Sequence, residues 1–200
     1  AGGEFGFMFL YMAAIYWVIR DFGAAAQAGF GLGTRLMQSI FLPAMGIAFA
    51  TPPVAGQNFG AKQFGRVRET SSRASAISVG LMIVLTLYCQ WQPQWLAERF
   101  TSDPAVIAVA GEFLRLISWN FAASGIIFTC SGIFQGLGHT WPALGSTASR
   151  LVTFMLPAIW LSTQPWLELH HVWYLSVASV WTQAALSVFL LFRVMRAKLG

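Results

Sequence analysis

Long apolar runs, separated by short polar or Pro- and Gly-rich breaks, dominate the chain. They read as Phe5 to Ile19, Ala24 to Phe49 with an extension to Asn58, Ala74 to Trp95, Val106 to Phe134, Pro142 to Leu161, and Val172 to Phe192. At a rise of 1.5 Å per residue, about 20 helical residues cross the roughly 30 Å hydrocarbon core of a bilayer. From Leu36 to Ala61 no residue carries a formal charge. The breaks Asp21-Phe22-Gly23, Gln92-Pro93-Gln94, Thr101-Ser102-Asp103-Pro104 and Gln164-Pro165 have turn or helix-start chemistry. The pattern predicts an all-α integral membrane protein of about six transmembrane helices. Pro43, Pro52, Pro53 and Pro157 fall inside runs and are expected to break or kink them. The pairs Gly2/Gly6, Gly29/Gly33, Gly56/Gly60 and Gly132/Gly136 have the spacing that lets membrane helices pack closely.

Composition agrees with a membrane solvent. The chain is 56% hydrophobic and only 10% charged, against about 25% charged in soluble domains. A net charge of +5 raises the question of nucleic acid, but binders of that kind spread their bases along one exposed face. Here Lys62, Arg66, Arg68 and Arg73 cluster in a loop after the second run, and Arg193, Arg196 and Lys198 in the C-terminal tail. Arg20 and Arg99, with the acids Asp21, Glu98, Asp103 and Glu168, fall at the opposite ends of the runs. Cytoplasmic loops collect Lys and Arg, so the basic side reads as cytoplasmic; an even number of spans then puts both termini there, in a cell inner (plasma) membrane protein. Trp17, Trp91, Trp95, Trp166, Trp173 and Tyr174 fall at expected outer ends, and Trp141 at an inner end, as interfacial aromatics do. The N-terminus shows no basic region followed by a cleavage site. Cys89 and Cys130 sit in apolar runs and read as small buried hydrophobes.

Few residues offer chemistry. His170 and His171 are adjacent but have no third ligand at metal spacing, and no Walker motif occurs. No carboxylate pair stands at membrane depth, so the expectation is a protein that is not an enzyme and uses no cofactor or metal. The ionisable residues inside runs are Glu4, Arg35, Glu112, Arg115 and Arg150, and such residues are costly in a bilayer. Arg35 shares a helical face with Gln38; it either lines a cavity or snorkels to the outer interface. Arg150 lies about two turns beyond Pro142, so it faces either a cavity or the backbone carbonyls of neighbouring helix ends. Glu112 and Arg115 are expected to pair as an interfacial brace. The neutral polar residues Gln38, Gln57, Asn58, Asn120 and Gln135 line a cavity or bond across helices. For Gln57 and Asn58, beside the basic loop, a gating or helix-end role is favoured. Phe7, Met8, Tyr11, Tyr16, Phe30 and Phe41 suit either a pocket for flat lipophilic cations or ordinary packing.

The order Arg35, Gln38, Leu42-Pro43, Gly46, Ala48, Gly56-Gln57-Asn58-Phe59-Gly60-Ala61, Arg66 and Arg68 resembles the eighth membrane helix and following loop of multidrug and toxic compound extrusion (MATE) transporters. Ala1 to Arg20 is similar to that family's seventh helix, and Ser131 to Pro142 to its turn between helices ten and eleven. The resemblance implies that residues 1–200 form the C-terminal six-helix lobe of a twelve-helix transporter whose N-terminal lobe is absent. It implies a secondary active exporter of drugs, organic cations and other toxic compounds, by antiport against protons or sodium. A lipid-linked oligosaccharide flippase of the same superfamily is the alternative. Substrate-cavity or gating positions are then Arg35, Gln38, Gln57, Asn58, Asn120, Arg150, Tyr11 and Met8. The sodium-coupled branch places acids deeper in its seventh helix and in the middle of its tenth. Here those stretches carry Met8 and the acid-free Asn120 to Ser124, which leaves coupling to the absent lobe, with Glu4 the weak candidate in this one.

Overall fold

The computed structural model describes residues 2–199, and the side chains of these other than Glu4 and Phe5. No strand occurs among the described residues, and the helices follow in order: α1 Gly2–Ile19, a 3₁₀ turn Arg20–Phe22, α2 Ala24–Gly60, α3 Phe64–Trp91, α4 Pro93–Glu98, α5 Pro104–Ile117, α6 Asn120–Gly136, α7 Trp141–Ser162 and α8 Leu169–Leu199. By length and composition α2, α3, α7 and α8 can each cross a bilayer, and α5 and α6, bent by 58° at their junction, are together apolar and long enough for one more span. With 18 residues α1 is long enough to be the sixth. Outward side chains stay apolar and accessible, Leu87 at 63% and Phe192 at 70%, as a surface bathed in lipid requires. α1 packs along α7 and barely touches α2, while α2 packs on α3, α5 and α6.

The expected breaks form for the expected reasons. Gly23 takes a left-handed φ of 89° between the 3₁₀ turn and α2. Asp103 caps α5 by accepting the Ala105 N–H at 2.9 Å, with Pro104 at the first helical position. The basic segment differs from its reading as a loop. Only residues 61–63 lie between helices, Lys62 at a φ of 58°, and Arg66, Arg68 and Arg73 ride on the first turns of α3. Arg73 pairs there with Glu69 at 2.7 Å, one turn earlier. Trp173 also departs from the interfacial reading: it is fully buried, stacked on Phe30 at 5.5 Å and edge-on to Phe113 at 4.9 Å.

None of the internal prolines interrupts its helix. A proline removes one N–H and leaves the carbonyl four residues earlier without its partner, a loss that close neighbours offset. For Pro52 that carbonyl is Ala48 O, and the Gly132 backbone sits against it: a Cβ built on Gly132 would lie 2.9 Å away. One turn on, a Cβ at Gly136 would meet Pro52 O at 2.8 Å and Ala55 Cβ at 2.9 Å. Gly132 and Gly136 therefore seat α6 directly on the proline-bearing stretch of α2. Gly29 and Gly33 do the same against Val109 and Phe113 of α5, whereas a Cβ at Gly6 or Gly60 would meet nothing within 4 Å among the described residues.

The interruption falls instead in the stretch read as one span from Val106 to Phe134. Between Ile117 and Asn120 the helix bends by 58°, with no proline at the bend. Side chains from two other helices meet the carbonyls there. Gln90 Nε2 donates to Arg115 O at 2.6 Å and to Ser118 Oγ at 2.8 Å. Thr86 Oγ1 donates to Ser118 O at 2.8 Å, and Trp181 Nε1 to Trp119 O at 3.2 Å. Ser118 Oγ itself donates to Arg115 O at 2.9 Å. Irregular backbone at membrane depth persists only where protein or water satisfies it. Here α3 and α8 do.

Candidate functional site

The structure distributes the candidate residues over separate places. Arg35 and Gln38 come together on the exposed face of α2. With Gln27 and Thr34 of α2, Tyr16 of α1 and Thr101 they line an open groove of about 600 Å³. No carboxylate lies within ion-pair distance of Arg35 among the described residues. The same α2 face continues through Leu42, Gly46, Phe49, Pro53 and Gln57, all exposed. Met8 is exposed on α1.

Gln57 and Asn58 serve the end of α2. Asn58 Nδ2 donates to Val54 O at 2.8 Å, and the Asn58 and Gln57 carbonyls accept the N–H groups of Gln63 at 2.9 Å and Ala61 at 3.0 Å. At the same end Lys198 Nζ donates to Leu137 O, at the C-terminus of α6, at 3.1 Å. Glu112 and Arg115 do not form the expected brace: both are exposed, and no ion pair joins them among the described residues. The Glu4 side chain lies outside the described residues.

The half-buried Arg150 and the buried Tyr11 meet where α7 packs on α1. Along α7 the residues Ala143, Ser146, Phe154 and Ala158 are buried, at spacings of three, four or eight that place Arg150 on the same inward face. Opposite them Gly145, Val152, Leu156 and Ile159 are exposed. The Arg150 guanidinium lies over the Tyr11 ring, 4.0 Å from its centroid. Tyr11 is held in turn by a 2.6 Å hydrogen bond between its hydroxyl and Ser176 Oγ, and by the edge of Phe154 at 4.7 Å. This assembly joins α1, α7 and α8. Arg150 Nε is enclosed yet bonds to nothing, and no carboxylate pairs with the guanidinium among the described residues. Phe30, another candidate for a pocket, is instead fully buried in the core.

Sequence reading passed over a polar face on α8. Ser176, Ser179, Gln183 and Ser187 are all buried and recur every three or four residues, a helical stripe that spacing alone could have revealed. Gln183 Nε2 reaches Thr147 Oγ1 of α7 at 3.4 Å. Gln183 Oε1, Ser187 Oγ, Trp173 Nε1 and Asn120 Oδ1 are buried without a partner among the described residues, as Arg150 Nε is. Asn120 stands at the start of α6, just past the bend.

This arrangement of helices has known counterparts. The MatE family model matches residues 1–160. The chain belongs to the MatE family. Among curated relatives, the "Probable multidrug resistance protein YpnP" of Bacillus subtilis is 27% identical over 162 residues, 81% of this chain and 35% of that protein. The "FAD transporter" of Shewanella oneidensis is 24% identical over 145 residues, 72% of this chain and 32% of that protein. A solved outward-facing structure of a multidrug resistance MATE family transporter of the MOP superfamily superposes with a TM-score of 0.92 at 20% identity, covering 98% of this chain and 45% of that one. The chain thus spans about a third of the length of these curated relatives and under half of the solved transporter. It has the fold of one lobe of a MatE protein.

Proposed function

We propose that this MatE lobe works in a secondary active exporter of drugs, organic cations and other lipophilic toxic compounds, driven by antiport of protons or sodium across the inner (plasma) membrane. The observation that carries the reading is the uncovered face of α2. It runs from Gln27 through Arg35, Gln38, Leu42, Phe49 and Pro53 to Gln57, and α1 leaves it open. A continuous face of this length, polar toward Gln27 and apolar toward Phe49, suits a cleft shared with a second lobe. Repeat-built transporters alternate access by rocking such lobes around a central site. The basic end, with Lys62, Arg66 and Arg73, faces the cytoplasm in this reading, together with both termini. The matched relatives carry names with different cargoes, a drug resistance for one and FAD for another, so the cargo is argued from the residues.

Everted vesicles from cells making the full-length chain test the proposal. Ethidium, rhodamine 6G and fluorescein are offered under an imposed proton or sodium gradient. Gradient-dependent uptake of at least one dye is the expected result. If none of the three is driven while the protein is present in the membrane, the exporter reading falls.

A further inference from the structure

The half-buried Arg150, whose Nε is enclosed without a hydrogen-bond partner among the described residues, is the least expected feature of the packed face of α7. An arginine at membrane depth that faces lipid reaches for the interface, but Arg150 stands on the buried face of α7, away from the exposed Val152 and Leu156. An arginine kept for structure away from the lipid face normally finds a carboxylate or backbone carbonyls. Arg150 has neither among the described residues, and its Nε is enclosed without an acceptor. It is nevertheless held in place. The Tyr11 ring supports the guanidinium from one side at 4.0 Å, and Ser176 fixes that ring through its hydroxyl at 2.6 Å. One turn from Ser176 on α8, Trp173 Nε1 is a second buried N–H without an acceptor.

Arg150 Nε and Trp173 Nε1 are both donors. Water could satisfy a donor, but a guanidinium fixed on an aromatic plate, with no counter-charge among the described residues, presents a fork suited to a planar anionic group. Resting on the exporter reading above, we propose that Arg150, positioned by Tyr11, is a binding site for an anionic oxygen-bearing group, a carboxylate or phosphate, of the transported compound. The lobe then accepts substrates with an acidic substituent, and discriminates between anionic and cationic compounds that share one ring system.

Fluorescein and rhodamine 6G provide the comparison, since both are xanthenes, one a carboxylate-bearing anion and the other an esterified cation. Purified full-length protein in proteoliposomes is assayed as wild type, Arg150→Gln and Arg150→Lys. The expected result is a loss of fluorescein transport in Arg150→Gln by about tenfold or more, the scale of one charge-assisted hydrogen bond. Rhodamine 6G transport stays unchanged or rises, and Arg150→Lys recovers part of the fluorescein rate. Independently, fluorescein raises the thermal unfolding midpoint of wild type and not of Arg150→Gln. Transport of both dyes falling equally, or fluorescein moving as fast without Arg150, overturns the anion site. So does wild type that drives rhodamine 6G alone. If no dye moves but fluorescein still stabilises wild type through Arg150, the exporter reading fails and the anion site stands.

Discussion

The bend between α5 and α6 and the Arg150 site are both polar features inside a membrane protein, and they are treated in opposite ways. At the bend, the Arg115, Ser118 and Trp119 carbonyls each receive a donor, from Gln90, Thr86, Trp181 or Ser118 itself. At Arg150 a full positive charge has an aromatic ring beneath it and no hydrogen-bond partner for its Nε. In hydrocarbon each unsatisfied polar group is costly. Satisfaction by the protein's own side chains therefore marks a feature that holds the fold together. Absence of such satisfaction leaves a group free to meet water or a ligand. The same distinction separates the α2 and α6 glycine seam, backbone against backbone, from the α8 stripe, where Gln183 Oε1 and Ser187 Oγ have no partner.

Substitutions that test stability alone sharpen this comparison. The largest effect is expected at the seam. Gly136→Val forces a branched side chain onto Pro52 O and Ala55, where neither helix can yield without moving backbone, at a cost of about 3 kcal/mol or more. Denaturation of purified protein in detergent checks it, and an unchanged midpoint would show that α2 and α6 separate freely. Next comes Gln90→Leu, close in size, which removes the donor to Arg115 O and Ser118 Oγ. A loss of about 1–2 kcal/mol is expected, since membrane hydrogen bonds are individually modest but here cap broken backbone. The smallest effect is expected for Arg150→Met. It gives up a cation–π contact of about 1 kcal/mol but relieves a partly desolvated charge, so the net change is near zero. If Arg150→Met instead destabilises as much as Gln90→Leu, Arg150 is a strut and the contrast between the two sites disappears.

Much of the architecture was legible in the residues. Apolar runs mark spans because a chain in lipid has few other ways to satisfy its backbone, and Asp103-Pro104 and Gly23 mark helix boundaries through local chemistry. The Gly-Gln-Asn segment and its neighbours carried the family resemblance that the MatE match now supports. Other features misled the reading because their outcome depends on neighbours. Prolines predicted breaks in α2, yet the helix continues where Gly132 packs against it, and a proline-free stretch bends because Gln90, Thr86 and Trp181 are there to receive it.

The site divides in the same way. Sequence alone determined that Arg35 and Arg150 are charges at membrane depth and that the middle of α6 has no acid, because charge and hydropathy are properties of residues. Tertiary structure decided that Arg35 opens onto a groove while Arg150 turns inward, and that Tyr11 lies beneath Arg150 across 139 positions of chain. Which charge meets a partner depends on helix rotation and on what the neighbouring helices present. Those are set by packing between segments distant in sequence, and no local pattern encodes them.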